Sequence, residues 1–121
     1  MVLVDSSVWI DHFRKGHTGL AALLNEASVL THPFIIGELA CGNLKHRNLI
    51  LENLAELPAA AVATHEEAFD LLLDRKLYAR GIGWVDAHLI ASALLSNCPL
   101  WTLDERLKQT AASAGVAIRR L

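Results

Sequence analysis

Four carboxylates stand where an α/β chain gathers its ligands. Asp5 closes the apolar run "VLV" of residues 2–4, and Asp104 closes "LWTLD" in the same way. Asp86 opens an apolar helical stretch after the loop at residues 81–83, and Glu38 lies inside the helix expected after the second strand. In an open parallel sheet ligands collect at the carboxyl ends of the strands. The alternation of elements therefore brings four acids, far apart in sequence, to one edge. Like charges a few ångströms apart do not all stay ionised without counter-charge, and a hard divalent cation supplies it. An all-oxygen donor set with no His or Cys favours Mg²⁺ or Mn²⁺ over zinc. Such a cation polarises a phosphoryl oxygen and lowers the pKa of a water, which is the chemistry of phosphodiester hydrolysis.

Taken singly, the acids have plainer uses. Asp5, Asp86 and Asp104 each suit an N-cap, accepting from the first free N–H groups of the next helix. Glu38 differs, because three and four residues either way along its helix reach Phe34, Ile35, Cys41 and Gly42. An ionised carboxylate on so apolar a face is costly or shifts its pKa, so a cation is expected opposite it. The helix offers none before Lys45 and Arg47.

The elements that must position these groups can be read along the chain. Residues 2–4 form a short strand, and Ser6 or Ser7 caps a helix that Gly16 stops. Residues 27–31 form a second strand, after which Pro33 suits a first helical turn and "PFIIGELACGNL" continues as helix. Residues 60–63 are expected as a shorter third strand. Thr64 and Glu67 then have capping-box spacing at the head of a helix whose apolar stripe is Phe69, Leu72, Leu73 and Leu77. "VDAHLIASALLSN" is an apolar helix, and residues 99–104 form the fourth strand. A helix from Glu105 to about Ala114 ends at Gly115, and a last strand follows at 116–118. Strands alternating with helices imply parallel pairing. The expected fold is α/β, a three-layer α/β/α sandwich on a small parallel sheet, as a single domain over 1–121.

An apolar fraction of 53% is high for 121 residues and fits apolar surface covered by a partner. No membrane segment accounts for it, since the uncharged stretch that ends at Asp104 is broken by His88, Ser92, Ser96, Asn97 and Pro99. An acid at position 5 argues against a secretory leader. Cys41 and Cys98 lack metal or redox spacing and are expected as small core residues in a reducing cytoplasm. The net charge of −2 does not exclude a phosphate-backbone ligand: with four of the thirteen acids committed to a cation, nine face eleven basic residues. The six histidines show no ligand spacing, so core or surface roles are expected, and Trp9, Trp84 and Trp101 are expected to pack rather than stack on bases. "GIG" at 81–83 is a loop hinge, not a dinucleotide fingerprint.

Together the motifs carry a family resemblance. "VLVDSSVWID", "GELACG", "WVDAHLIASA" and "LWTLDERL" resemble, in order and over the whole chain, the four acidic motifs of PIN-domain proteins, and the length is that of the VapC toxins of bacterial toxin–antitoxin pairs. The resemblance implies a metal-dependent endoribonuclease with Asp5, Glu38, Asp86 and Asp104 as catalytic and metal-binding acids. Ser7 and Thr102 match positions where the family places a hydroxyl that orients the site. It also implies Mg²⁺ or Mn²⁺ as cofactor, an RNA substrate, a VapB-like antitoxin and a homodimer. Arg14, Lys15, Lys45 and Arg47 follow the helices that carry or adjoin Asp5 and Glu38 and are the candidates for RNA phosphate contacts. The alternative, from a different class, is a non-catalytic interaction module that keeps the acids for structure. An aspartyl-phosphate receiver is disfavoured by the absence of a paired acid on the first strand.

Overall fold

The computed structural model describes residues 1–120. At its centre is β1 (Val2–Val4), buried along its whole length. That explains why "VLV" is a continuous apolar run rather than an alternating one: a central parallel strand is covered on both faces. Strands β2 (Val29–Leu30) and β3 (Leu100–Trp101) flank it, and both pair parallel to β1. The register sets Leu3 opposite Leu30 on one side and Leu100 on the other. The strands expected at 60–63 and 116–118 reduce to single bridges, Thr31 with Ala59 and Leu100 with Ile118. They still lengthen the sheet, since Ala60 N–H donates to Thr31 O and Arg119 N–H to Leu100 O.

Seven helices surround the sheet among the described residues, completing an α/β sandwich: α1 (Ser6–Lys15), α2 (Thr18–Asn25), α3 (Pro33–Cys41), α4 (Arg47–Glu56), α5 (His65–Asp74), α6 (Trp84–Ser96) and α7 (Glu105–Ser113). Leu3, Leu20, Ile35, Leu89, Ile90, Leu100 and Leu107 are fully buried between the layers. Burying a leucine or isoleucine side chain contributes roughly 1.5–3 kcal/mol. None of the described helices is long and apolar enough to cross a membrane.

Several local expectations are corrected. The N-cap of α1 is Asp5, not Ser6 or Ser7. Helices α2 and α4 form in stretches without Ser, Thr, Asp or Asn caps, beginning instead at His17 and His46. Helix α5 stops at Asp74, where Lys76 turns left-handed at φ 53°, so buried Leu77 belongs to the following turn. Phe69 and Leu73, expected on the buried stripe, face outward, while Ala68 is the buried residue of α5. Cys98 is in the core as expected, but Cys41, at the end of α3, is exposed.

Candidate active site

Asp5 is the residue at which the sheet hands the chain to α1. Its N–H donates to Trp101 O at 2.9 Å, continuing the ladder beyond β1, and its side chain caps the helix. Oδ2 takes every hydrogen bond the carboxylate receives among the described residues: from Ser7 Oγ at 2.7 Å, Thr102 Oγ1 at 2.8 Å and Ser7 N–H at 3.4 Å. The two hydroxyls are themselves held, Ser7 Oγ accepting from Leu103 N–H and Thr102 Oγ1 from Asp104 N–H. Because both spend their proton on Asp5, their mutual contact of 3.2 Å is a packing contact. A buried carboxylate is thus fixed in one orientation, with Oδ1 left without a protein donor.

Asp104 is three residues past β3 and caps α7, its Oδ1 accepting from Arg106 and Leu107 N–H. Asp86 is in the first turn of α6, where Oδ2 accepts from Gly83 N–H at 3.1 Å. Three of the four acids therefore sit at helix N-termini, where the macrodipole favours negative charge. Glu38 lies on α3, and here the structure departs from expectation: its face is open to solvent, not buried in apolar surroundings. Of its helical neighbours only Ile35 enters the core, while Phe34, Cys41 and Gly42 are exposed.

The acids sense one another. The Asp86 carboxyl is held above the usual range by partial burial, opposed by the Gly83 N–H and reinforced by the charges of Asp5 and Asp104. Glu38, exposed as a residue but lining a cavity, has its carboxyl raised first by partial burial there and then by Asp5 and Asp86, with the Ser6 side chain opposing. The four thus share one electrostatic site, although among the described residues no three acids, histidines or cysteines stand close enough to ligate a single ion. The donor chemistry, carboxylate oxygens alone, suits a hard divalent cation.

This coupling has a measurable sign. Both carboxyls bind protons more tightly in the folded chain than in the unfolded one. Their contribution to stability is therefore greatest below the ordinary carboxylate pKa and is lost as pH rises through the raised values. In chelator, Asp86→Asn removes the charge but keeps an acceptor for Gly83, so the variant should melt higher than the parent at neutral pH. The gap should close toward about pH 4. A lower melting temperature than the parent at neutral pH refutes the coupling.

The basic candidates separate. Arg14 and Lys45 line, with Glu38, a cavity of about 690 Å³ between α1, the end of α3 and α4. Lys15 is paired with Asp11 at 3.3 Å. Arg47 turns back to donate to Ala40 O and to Gly42 O at 3.1 Å, satisfying carbonyls at the end of α3.

Sequence reasoning did not single out His32. It caps α3 through Nδ1, which accepts from Phe34 N–H, so Nε2 carries the proton and donates to Ser92 Oγ at 3.1 Å. Burial, then the neighbouring His88, lowers its pKa and keeps it neutral. A histidine so used anchors the start of the helix that carries Glu38. His88, two residues after Asp86, is buried against Phe34 and Trp84. Trp9 and Trp101 pack in the core as expected, whereas Trp84 is half-exposed beside the site.

Comparison with known proteins agrees with this geometry. The PIN domain family profile matches residues 2–113. Ribonuclease VapC32 of Mycobacterium tuberculosis, in each of two strains, is 45% identical over 119 residues, covering 98% of this chain and 96% of the relative. The crystal structure of PAE2754 from Pyrobaculum aerophilum superposes with a TM-score of 0.63 at 17% identity, over 97% of this chain and 81% of that one, and shares the fold. With the profile spanning nearly the whole chain and a relative 45% identical over 98% of it, the protein belongs to the PIN-domain family and is a VapC-like member of it.

Proposed function

We propose that the chain is a divalent-metal-dependent endoribonuclease toxin that hydrolyses RNA phosphodiester bonds. The observation that carries this is the buried Asp5 carboxylate, locked through one oxygen by Ser7 and Thr102 at the end of β1, whose charge adds to burial in raising the Glu38 and Asp86 carboxyls. Kinship with a protein named a ribonuclease supports the choice of RNA. These four acids are the ligands we assign to Mg²⁺ or Mn²⁺, with Asp5 the fixed one because Ser7 and Thr102 lock its carboxylate. When bound, the cation activates water and neutralises charge developing on the phosphate. Besides ligating the ion, Glu38, exposed on the cavity, would accept the proton of the attacking water. Arg14 and Lys45, on the cavity beside Glu38, hold flanking phosphates.

A VapB-like antitoxin is the expected partner. The cavity bordered by Glu38 shares Phe13 and Ile50 with a second, smaller one lined by Trp9, Leu24 and Leu54. Together they form an apolar groove along α1 and α4 that suits an apolar segment ending in a basic residue near the acids. A cytoplasmic homodimer completes the reading.

The test is cleavage of RNA by purified protein in Mg²⁺ or Mn²⁺, stopped by chelation and restored by returning the ion. A non-catalytic module gives no fragments under any condition. Mn²⁺ should also raise the melting temperature by several degrees, since ligand at a hundredfold excess over Kd stabilises by about 2.7 kcal/mol. An unchanged melting curve argues for the non-catalytic alternative.

A further inference from the structure

Six aromatic rings run without a break beside the acids. His32 meets Phe34 at 5.1 Å between centroids, Phe34 meets His88 at 5.0 Å, and His88 meets Trp84 at 4.6 Å. Trp84 then meets His65 at 5.1 Å and Phe69 at 6.4 Å. The two histidines at the base are buried, at 0% and 4% exposure, whereas Phe34, Trp84 and Phe69 are 36%, 39% and 45% exposed. The exposed rings are thus braced from beneath by edge-to-face contacts, which fixes their orientation with little side-chain freedom left to lose.

The strip is continuous with the acid site along two helices. Phe34 is one turn before Glu38 on α3, and Trp84 is two residues before Asp86 at the head of α6. Helices α3, α5 and α6, which carry the exposed rings, contain no lysine or arginine, and α5 adds Glu66, Glu67 and Asp70. Phosphates are therefore not what this face accepts, and their cationic partners Arg14 and Lys45 lie on the cavity beyond Glu38. A ligand that crosses the acids must present its uncharged, flat parts to the rings. Unpaired bases have that chemistry, and stacking on aromatic side chains is tolerant of base identity.

We propose that Phe34 and Trp84 form a stacking platform for an unpaired base next to the scissile phosphate, so that the substrate is a single-stranded segment read partly by stacking. The proposal rests on the ribonuclease reading above. Trp84 provides its own probe, because Trp9 and Trp101 are buried at 3% and 1% exposure.

The experiment titrates the Asp86→Asn protein with Mn²⁺ into a short, end-labelled single-stranded oligoribonucleotide, reading affinity from the anisotropy of the label, and separately follows indole fluorescence for quenching. It then repeats the titration with a strand of equal length carrying abasic sites. Saturable quenching by the native strand is expected, with binding about tenfold weaker and without quenching for the abasic strand. Adding Trp84→Ala should weaken the native strand by about the same factor, leave the abasic strand unchanged, and be largely rescued by Trp84→Phe. Equal losses on both strands, or no quenching, overturn the platform. So does an unchanged RNA affinity together with a shift from dimer to monomer in sedimentation equilibrium, which assigns the face to a second copy of the chain. Cleavage of RNA by the unsubstituted protein with base-independent binding overturns the platform alone. Absence of both binding and cleavage overturns the ribonuclease reading, and the platform with it.

Discussion

Replacing Asp86 with asparagine is expected to lower RNA cleavage by about a thousandfold with no change in far-UV circular dichroism, the size expected when one preorganised charge at a reacting phosphate is removed. The helix start survives because asparagine keeps an oxygen that can accept from Gly83 N–H, the one hydrogen bond the Asp86 carboxylate makes among the described residues. What is lost is the charge, and the structure shows that this charge is held at a cost: burial and the repulsion of Asp5 and Asp104 all oppose its ionisation. A carboxyl whose ionisation its surroundings oppose, beside other acids, is a functional candidate with a physical rationale. The metal-free protein should therefore become slightly more stable as it becomes inactive. Asp11→Asn is the control, since Asp11 sits in an i,i+4 pair with the exposed Lys15, worth only a few tenths of a kcal/mol. It should leave cleavage unchanged within a factor of about two. Undiminished cleavage by Asp86→Asn removes that residue from the site, and an equal loss in Asp11→Asn shows a general charge effect instead.

The parts of the fold that were legible in the sequence are those whose signal is local. "VLV" followed by an acid gives a buried strand and its end. Thr64 and Glu67 form the reciprocal capping box their spacing implies, and Gly115, at φ 97°, closes α7. What was not legible depends on partners distant in sequence. Helices α2 and α4 begin on histidines, which carry no general capping signal, and only the fold shows that the His17 Nδ1 accepts from Leu20 N–H. The outer strands failed because the edge of a narrow sheet pairs through a single residue, too short for any periodicity. For Glu38 and Cys41, spacing along a helix tells which residues share a face but not whether another element covers it. Here Glu38 and Cys41 are both exposed, Glu38 on a cavity that residues of α1 and α4 also line.

The support of Asp5 was legible only through resemblance, since Ser7 and Thr102 are 95 positions apart, yet it yields the second large effect. Thr102 is fully buried, and its hydroxyl both donates to Asp5 Oδ2 and accepts from Asp104 N–H. Valine has nearly the same shape and neither function. Thr102→Val should destabilise folding by about 1–3 kcal/mol, because it strips a donor from a buried carboxylate and an acceptor from a backbone N–H. It should also lower kcat/KM on RNA by roughly 10–100-fold, the range for losing a group that orients a metal ligand. Urea melts and cleavage kinetics on the same preparations separate the two effects, and Thr102→Ser, which restores the hydroxyl, should recover most of the activity even where the lost methyl leaves some instability. Ser7→Ala alone should cost less, since the Ser7 N–H still donates to Oδ2. The double variant should lose less or more than the sum of the two single losses, because both hydroxyls act on one oxygen. A purely structural role for Thr102 predicts the opposite pattern: lowered stability, full activity at temperatures where the protein is folded, and strict additivity with Ser7→Ala.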